Sequence, residues 1–173
     1  MTIKIYVASL EQYNSGRMVG DWITPTDYLS FEKFWNAIQI ATEYAEEVAV
    51  HDYDGINLNN EYPYQEEFEN LYYFCQALKD SWLDEEVILA YAEYTGVKPF
   101  IDELDNELIA NAENNYVGTF NSFQEYADDY ADEMLNVRDN DFLMNYFDYQ
   151  SFARDLEYDY TVLDVGYQVA IFN

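Results

Sequence analysis

The sequence predicts an α+β fold of three small lobes in series: mixed α/β, all-helical, then mixed α/β, with a strongly acidic surface. Three observations predict it. Strand-like alternation is confined to the two ends of the chain. Apolar residues at helical spacing fill the middle, with no convincing strand among them. The composition pairs 19 Tyr, 11 Phe and 3 Trp with a formal net charge of −28 over 173 residues. Chains with so much excess charge are often disordered, because like charges repel and little apolar surface remains to bury. Here half the residues are hydrophobic, enough for a core, so the charge is expected to be held on a folded surface.

The elements follow in order. Ile3, Ile5 and Val7 alternate with Lys4, Tyr6 and Ala8, a period-two strand with one buried face. Gly16 and Gly20 punctuate the loop that follows, and Trp22-Ile23 begins a second strand. Phe31, Phe34, Trp35, Ile38, Ala41 and Ala45 recur at helical spacing, with Ser30 as N-cap. Val48-Ala49-Val50 reads as a strand ending at the turn signal Asp52-Tyr53-Asp54-Gly55. These residues make the first lobe, 1–60.

Past residue 60 the composition shifts. Phe68, Leu71, Tyr72, Cys75 and Leu78 form one helical stripe. Ser81-Trp82-Leu83-Asp84 has the form of a capping box, weakened by Asp in place of Glu. The helix after it carries Val87, Tyr91 and Tyr94 and stops at Gly96. Residues 61–103 form the helical lobe. A further helix with Ile101, Leu104 and Leu108 runs to about Asn114. In the third lobe, 104–173, Tyr116 to Phe120 reads as a strand, and Ser122-Phe123-Gln124-Glu125 is a capping box opening a helix to about Asn136. Asp139-Asn140-Asp141 reads as a loop. Phe152 and Leu156 mark a short helix, and Asp164-Val165-Gly166 turns between two final strands. No internal repeat is evident.

Charge bounds the function. There are 35 Asp and Glu against 7 Lys and Arg, so most carboxylates have no cationic partner within the chain. Self-repulsion on this scale costs stability. It also excludes DNA, RNA and anionic lipid as partners and favours a DNA-binding protein. Duplex DNA carries roughly one negative charge per 1.7 Å of axis, so the net charge matches about 14 base pairs, and that of a dimer about 28. The charge is uneven: residues 1–60 hold nine acids and three bases, residues 61–120 fourteen and two, residues 121–173 twelve and two. An ordinary solvated acidic surface is the simpler alternative.

Other chemistries are poorly supported. Asp52-Tyr53-Asp54-Gly55 begins like a calcium loop, but Ile56, Asn57 and Pro63 stand where a ligand, Gly and Glu are required. His51 is the one histidine and is expected to be structural. There is no Gly-rich phosphate loop, and carboxylate pairs are too abundant to single out an acid–base couple. No enzyme activity, metal or cofactor is expected. Cys75 precludes an internal disulfide and is expected in the core. No signal-peptide-like run opens the sequence and no stretch approaches a membrane span, so a soluble, cytoplasmic protein is expected.

The acidic spacings are more informative. Glu43, Glu46 and Glu47 are expected on one helix face, and Glu125, Asp128, Asp129 and Asp132 on another, with Glu133 four residues from Asp129. Four residues span about 6 Å of helix axis, similar to the separation of successive phosphates along a DNA strand. Like charges at this spacing weaken a helix by a few tenths of a kcal/mol per pair, so the rows carry a structural cost. Completing the candidate surface are Glu66, Glu67, Glu69, Asp80, Asp84, Glu85, Glu86, Asp102, Glu103, Asp105, Glu107 and Glu113.

Several segments together resemble one family. Ile5-Tyr6-Val7-Ala8-Ser9-Leu10, with Tyr13-Asn14, Gly16, Gly20 and Trp22-Ile23, is similar to the opening of the ArdA antirestriction proteins. His51-Asp52-Tyr53-Asp54-Gly55 resembles their midpoint signature. Phe123-Gln124-Glu125-Tyr126-Ala127, continuing through Tyr130 to Met134, resembles the antirestriction motif. Tyr146-Phe147-Asp148-Tyr149 and Phe152-Ala153-Arg154-Asp155-Leu156 resemble the C-terminal segment. The matches occur in order and span nearly the whole chain.

The resemblance implies an elongated, dimeric DNA mimic carried by mobile genetic elements. It would occupy the DNA-binding groove formed by the specificity and methyltransferase subunits of type I restriction–modification enzymes, inhibiting restriction and also methylation. It implies dimerisation through the last lobe, carried over to Phe123, Tyr126, Tyr130 and Met134, which could equally be internal core. The rival readings are an acidic binding module or chaperone for basic DNA-binding proteins, and a divalent-metal protein.

Overall fold

The computed structural model describes residues 3–56, 61–98 and 106–173. The chain divides into two compact units, residues 1–109 and 110–173. Residues 61–98, part of the helical lobe expected over 61–103, fall in the same unit as the first sheet.

In the first unit, β1 (Lys4–Ser9) lies between β2 (Gly20–Ile23) and β3 (Val48–Asp54), all antiparallel. Its alternation holds at the start, where Ile5 and Val7 are buried and Lys4 is exposed, but at the far end Ala8 and Ser9 are buried as well. Tyr6 pairs with Asp52 while Val7 pairs with Val50, so His51 is an extra residue that bulges β3. The strand thus runs through Asp54, where a turn was expected from Asp52. Gly20 is dictated by close approach, since a Cβ there would stand 2.1 Å from the Val7 carbonyl oxygen. A short helix not expected from the sequence, α1 (Leu10–Asn14), follows β1 with Ser9 as its N-cap.

Helix α2 (Phe31–Ala41) starts at Ser30 as expected, its hydroxyl accepting from the Lys33 N–H. It packs on β1 and β2, burying Phe34 and Ile38. Helix α3 (Gln65–Asp80) packs on α2 and on a 3₁₀ turn at Pro25–Asp27. Phe68, Leu71, Tyr72, Cys75 and Leu78, the expected stripe, are buried together with Phe74. Rings interlock across this contact, Phe34 on Tyr72 at 5.7 Å and Trp35 on Phe68 at 5.6 Å. The Tyr72 hydroxyl donates to the Tyr28 carbonyl, and the Gln76 amide to that of Pro25. Helix α4 (Glu85–Thr95) ends on Gly96 in the left-handed conformation, as expected.

Two expectations here need correction. Helix α2 stops at Ala41, not Ala45. Thr42 turns its hydroxyl back to the Ile38 carbonyl, and Glu43 and Tyr44 both take left-handed backbone conformations, which cost about 1–2 kcal/mol per non-glycine residue. The Tyr44 N–H closes this end on the Gln39 carbonyl at 2.6 Å. Ser81 belongs to the end of α3 rather than the start of α4, and Asp84 is the N-cap of α4, making no side-chain cap bond.

Helix α5 (Asn106–Asn115) leads directly into β4 (Tyr116–Phe120). The expected helical residues Ile101 and Leu104 lie outside the described residues. In the second unit β6 (Gln168–Phe172) is central, flanked by β4 and β5 (Thr161–Val165). The β5–β6 hairpin turns at Gly166, which has positive φ. Helix α6 (Phe123–Met134) and helix α8 (Tyr149–Leu156) pack together, and Phe123, Tyr126, Ala127, Ala153 and Ile171 form the buried centre. Helix α6 ends two residues before the expected Asn136, which takes a left-handed conformation. Asp139 and Asn140 lie in a loop as expected, and Asp141 opens a helix not expected from the sequence, α7 (Asp141–Tyr146). The Asn140 side chain accepts from the Phe142 and Leu143 N–H groups.

Candidate functional site

The site is a set of carboxylates, and its geometry depends on where each helix begins. Acidic residues occupy the first turns of α2, α3, α4, α6 and α7. There they meet the unpaired N–H groups and the positive end of the helix dipole, each such placement contributing about 0.3–1 kcal/mol. In α3 the Glu67 carboxylate accepts the Tyr64 N–H. In α6 the expected capping box is half kept. Ser122 accepts from the Glu125 N–H at 3.2 Å, but the Glu125 carboxylate reaches Asn121, taking its N–H at 2.7 Å.

The candidate carboxylates divide into three groups. Glu43, Glu46, Glu47, Glu66, Asp80, Asp84, Glu86, Glu107, Glu125, Asp129 and Glu133 are exposed. Glu67, Glu69, Glu85, Glu113, Asp128 and Asp132 are partly buried. Asp102, Glu103 and Asp105 lie outside the described residues. Among the described residues no Asp or Glu is fully buried.

The expected rows fare differently. Glu43, Glu46 and Glu47 share no helix face, because α2 ends before them. They are exposed in the segment between α2 and β3. On α6 the row exists, but two of its members turn to structural use. Asp128 accepts from the Gln124 side-chain amide at 2.7 Å. One oxygen of Asp132 accepts the Tyr149 hydroxyl at 2.7 Å, and the other pairs with the Arg138 guanidinium. This leaves 9% of the Asp132 side chain exposed. The bond to Asp132 raises the pKa of the Tyr149 hydroxyl above the ordinary phenol value. Glu125, Asp129 and Glu133 remain as the exposed series.

Of the four residues tied to the antirestriction motif, Phe123 and Tyr126 are buried in their own unit and Tyr130 is packed against them. The Tyr126 hydroxyl donates to that of Tyr160 at 2.9 Å, and burial, with that bond, holds it well above the ordinary phenol range. Met134 is exposed. Phe123 and Tyr126 are thus part of the core of their own unit, with Tyr130 partly buried against it.

His51 sits partly buried with its ring edge-to-face on Tyr13 at 4.3 Å. Cys75 is buried, and desolvation pushes its thiol far above the ordinary value. Among the described residues, no three or more His, Cys, Asp or Glu side chains are grouped to hold a metal ion. None of the described helices is long and apolar enough to cross a membrane.

Sequence reasoning passed over exposed acids of the first sheet. Asp52 and Asp54 read in the sequence as a turn, an incomplete calcium loop and part of a family signature, not as surface acids, and Asp21 carries no signal of its own. All three are exposed. The alternation Asp52-Tyr53-Asp54 was the available signal, since in a strand it sets both aspartates on one face.

No curated protein matches the chain. The family model described as antirestriction protein (ArdA) matches residues 5–169. That match takes in both sheets and the helices between them, and the chain belongs to the ArdA family of antirestriction proteins.

Proposed function

We propose that this protein counters restriction as a DNA mimic, its carboxylates engaging the Lys and Arg side chains that hold DNA phosphates in type I restriction–modification enzymes. One observation carries the reading. The chain has five acidic residues for each basic one, and among the described residues most of those acids are exposed. Their charge is therefore presented to solvent or to a partner. Binding releases counterions from both surfaces and weakens as salt rises. The DNA-binding core of the specificity and methyltransferase subunits is the target, so methylation is blocked along with restriction. Catalysis by the inhibitor plays no part. A protein carried by mobile elements would protect incoming DNA in this way.

Homodimerisation through the second unit belongs to the same reading. Since Phe123, Tyr126 and Tyr130 are used internally, Met134 is the member of that motif open to a second copy.

The test is competition. A type I methyltransferase core on labelled DNA is titrated with this protein at two salt concentrations. Stoichiometric displacement that weakens with salt is expected. Absence of displacement at either salt overturns the proposal, and equal binding to unrelated basic proteins favours the chaperone reading.

A further inference from the structure

We propose that the open face of the first sheet is a seat for arginine side chains of a basic protein, built from Trp22, Tyr6 and Asp52. The inference rests on the partner being cationic, as in the reading above, but adds a chemistry that charge alone does not supply. Cα pairing puts Tyr6 opposite Trp22 on one side and opposite Asp52 on the other. The three therefore form a row across β2, β1 and β3, with strands about 4.8 Å apart. The opposite face carries Ile5 and Ile23, which are buried. Trp22 and Asp52 are exposed and Tyr6 between them is partly buried; further along the same face Ala8 and Ala49 are covered. Trp22 is 44% exposed, and its ring meets that of Tyr6 edge-to-face at 5.7 Å.

Trp22 and Asp52 stand at the two ends of this row. The Asp52 carboxylate is steadied by the Tyr53 N–H at 2.9 Å. Lys4 stands opposite Asp54 one step along the same face, so Asp52 and Asp54 still outweigh the local positive charge. A planar cation stacked on the rings can donate to Asp52 at the same time. Guanidinium fits this better than ammonium, being flat, weakly hydrated and able to hydrogen-bond within its plane while its face rests on an aromatic ring.

An arginine octamer and a lysine octamer, equal in charge, are the probes. Each is titrated into the wild-type protein and into Trp22→Ala, with the indole N–H resonances followed in the wild type. The Trp22 signal is assigned by its loss in Trp22→Phe. The wild type is expected to prefer the arginine peptide, and Trp22→Ala to lose about two- to fivefold of that preference. The Trp22 indole is expected to shift with the arginine peptide while that of Trp82 stays in place. An unchanged preference in Trp22→Ala overturns the proposal, as does a Trp22 resonance unmoved at saturation in the wild type. So does a resonance that moves on dilution without peptide, which would mean that a second copy covers this face. Arginine preference without DNA displacement would remove the restriction-enzyme reading and leave this one standing. Displacement with equal arginine and lysine affinity would do the reverse.

Discussion

The two units hold themselves together differently. In the first, the centre is sealed: Ile5, Val7, Phe34, Ile38, Phe68, Leu71 and Phe74 are essentially inaccessible to solvent. In the second, β4 and β5 have no fully buried residue and most of the aromatic packing is partial. Polar ties supplement it: Tyr126 to Tyr160, Gln124 to the Tyr149 carbonyl, and Tyr149 to Asp132. The contrast matters for a protein this acidic. In the second unit some carboxylates are part of the scaffold, so charge there cannot all be counted as surface available to a partner.

The largest expected effect tests the sealed centre. Phe34→Ala should cost about 3–5 kcal/mol in urea unfolding. Phe152→Ala, in the thinner core, should cost about 1–3 kcal/mol. Equal losses would break the contrast.

A smaller effect separates structural from solvated acids on one helix. Asp132→Ala leaves the Tyr149 hydroxyl without its acceptor and should cost about 1–3 kcal/mol. Asp129→Ala, one turn away and exposed, should change stability by less than about 0.5 kcal/mol. If both are silent in thermal unfolding, the tie between α6 and α8 contributes nothing.

The smallest effect is on pH dependence. Asp148 caps α8, and the Ser151 N–H and hydroxyl hold its carboxyl below the ordinary carboxylate range. Because its folded value is depressed, the stability it adds is fully present above the ordinary carboxyl value and is lost as pH falls through the folded value. The difference in urea midpoint between wild type and Asp148→Asn should therefore hold steady above about pH 5 and shrink as pH falls below about 4. A constant difference would mean that the carboxylate charge is irrelevant to the cap.

Much of the fold was legible because its signals are local. The Ile5–Val7 alternation, the α3 stripe, Ser30, Ser122 and Gly96 each act within one or two turns of chain. What escaped notice lacks such signals. Helix α7 buries no residue, so it shows no apolar stripe, and its one cue, Asn140, was taken for a loop residue. The end of α2 uses Glu43 and Tyr44 where glycine would have announced a stop, which is why three glutamates were placed on a helix that does not reach them. The candidate surface was legible as an excess of acid over base. The inward role of Asp132 was not, since its partner Tyr149 is 17 residues away and only the packing of α8 on α6 brings them together.

The acids at helix starts also bear on how such a chain can change. A new carboxylate is neither equally welcome nor equally costly everywhere. In a first turn it meets a favourable local field, whereas in a last turn it meets an opposing one. Lineages under pressure to become more anionic would therefore accumulate acids preferentially at the amino ends of helices. The net charge of a descendant could rise while its folding stability drifted little.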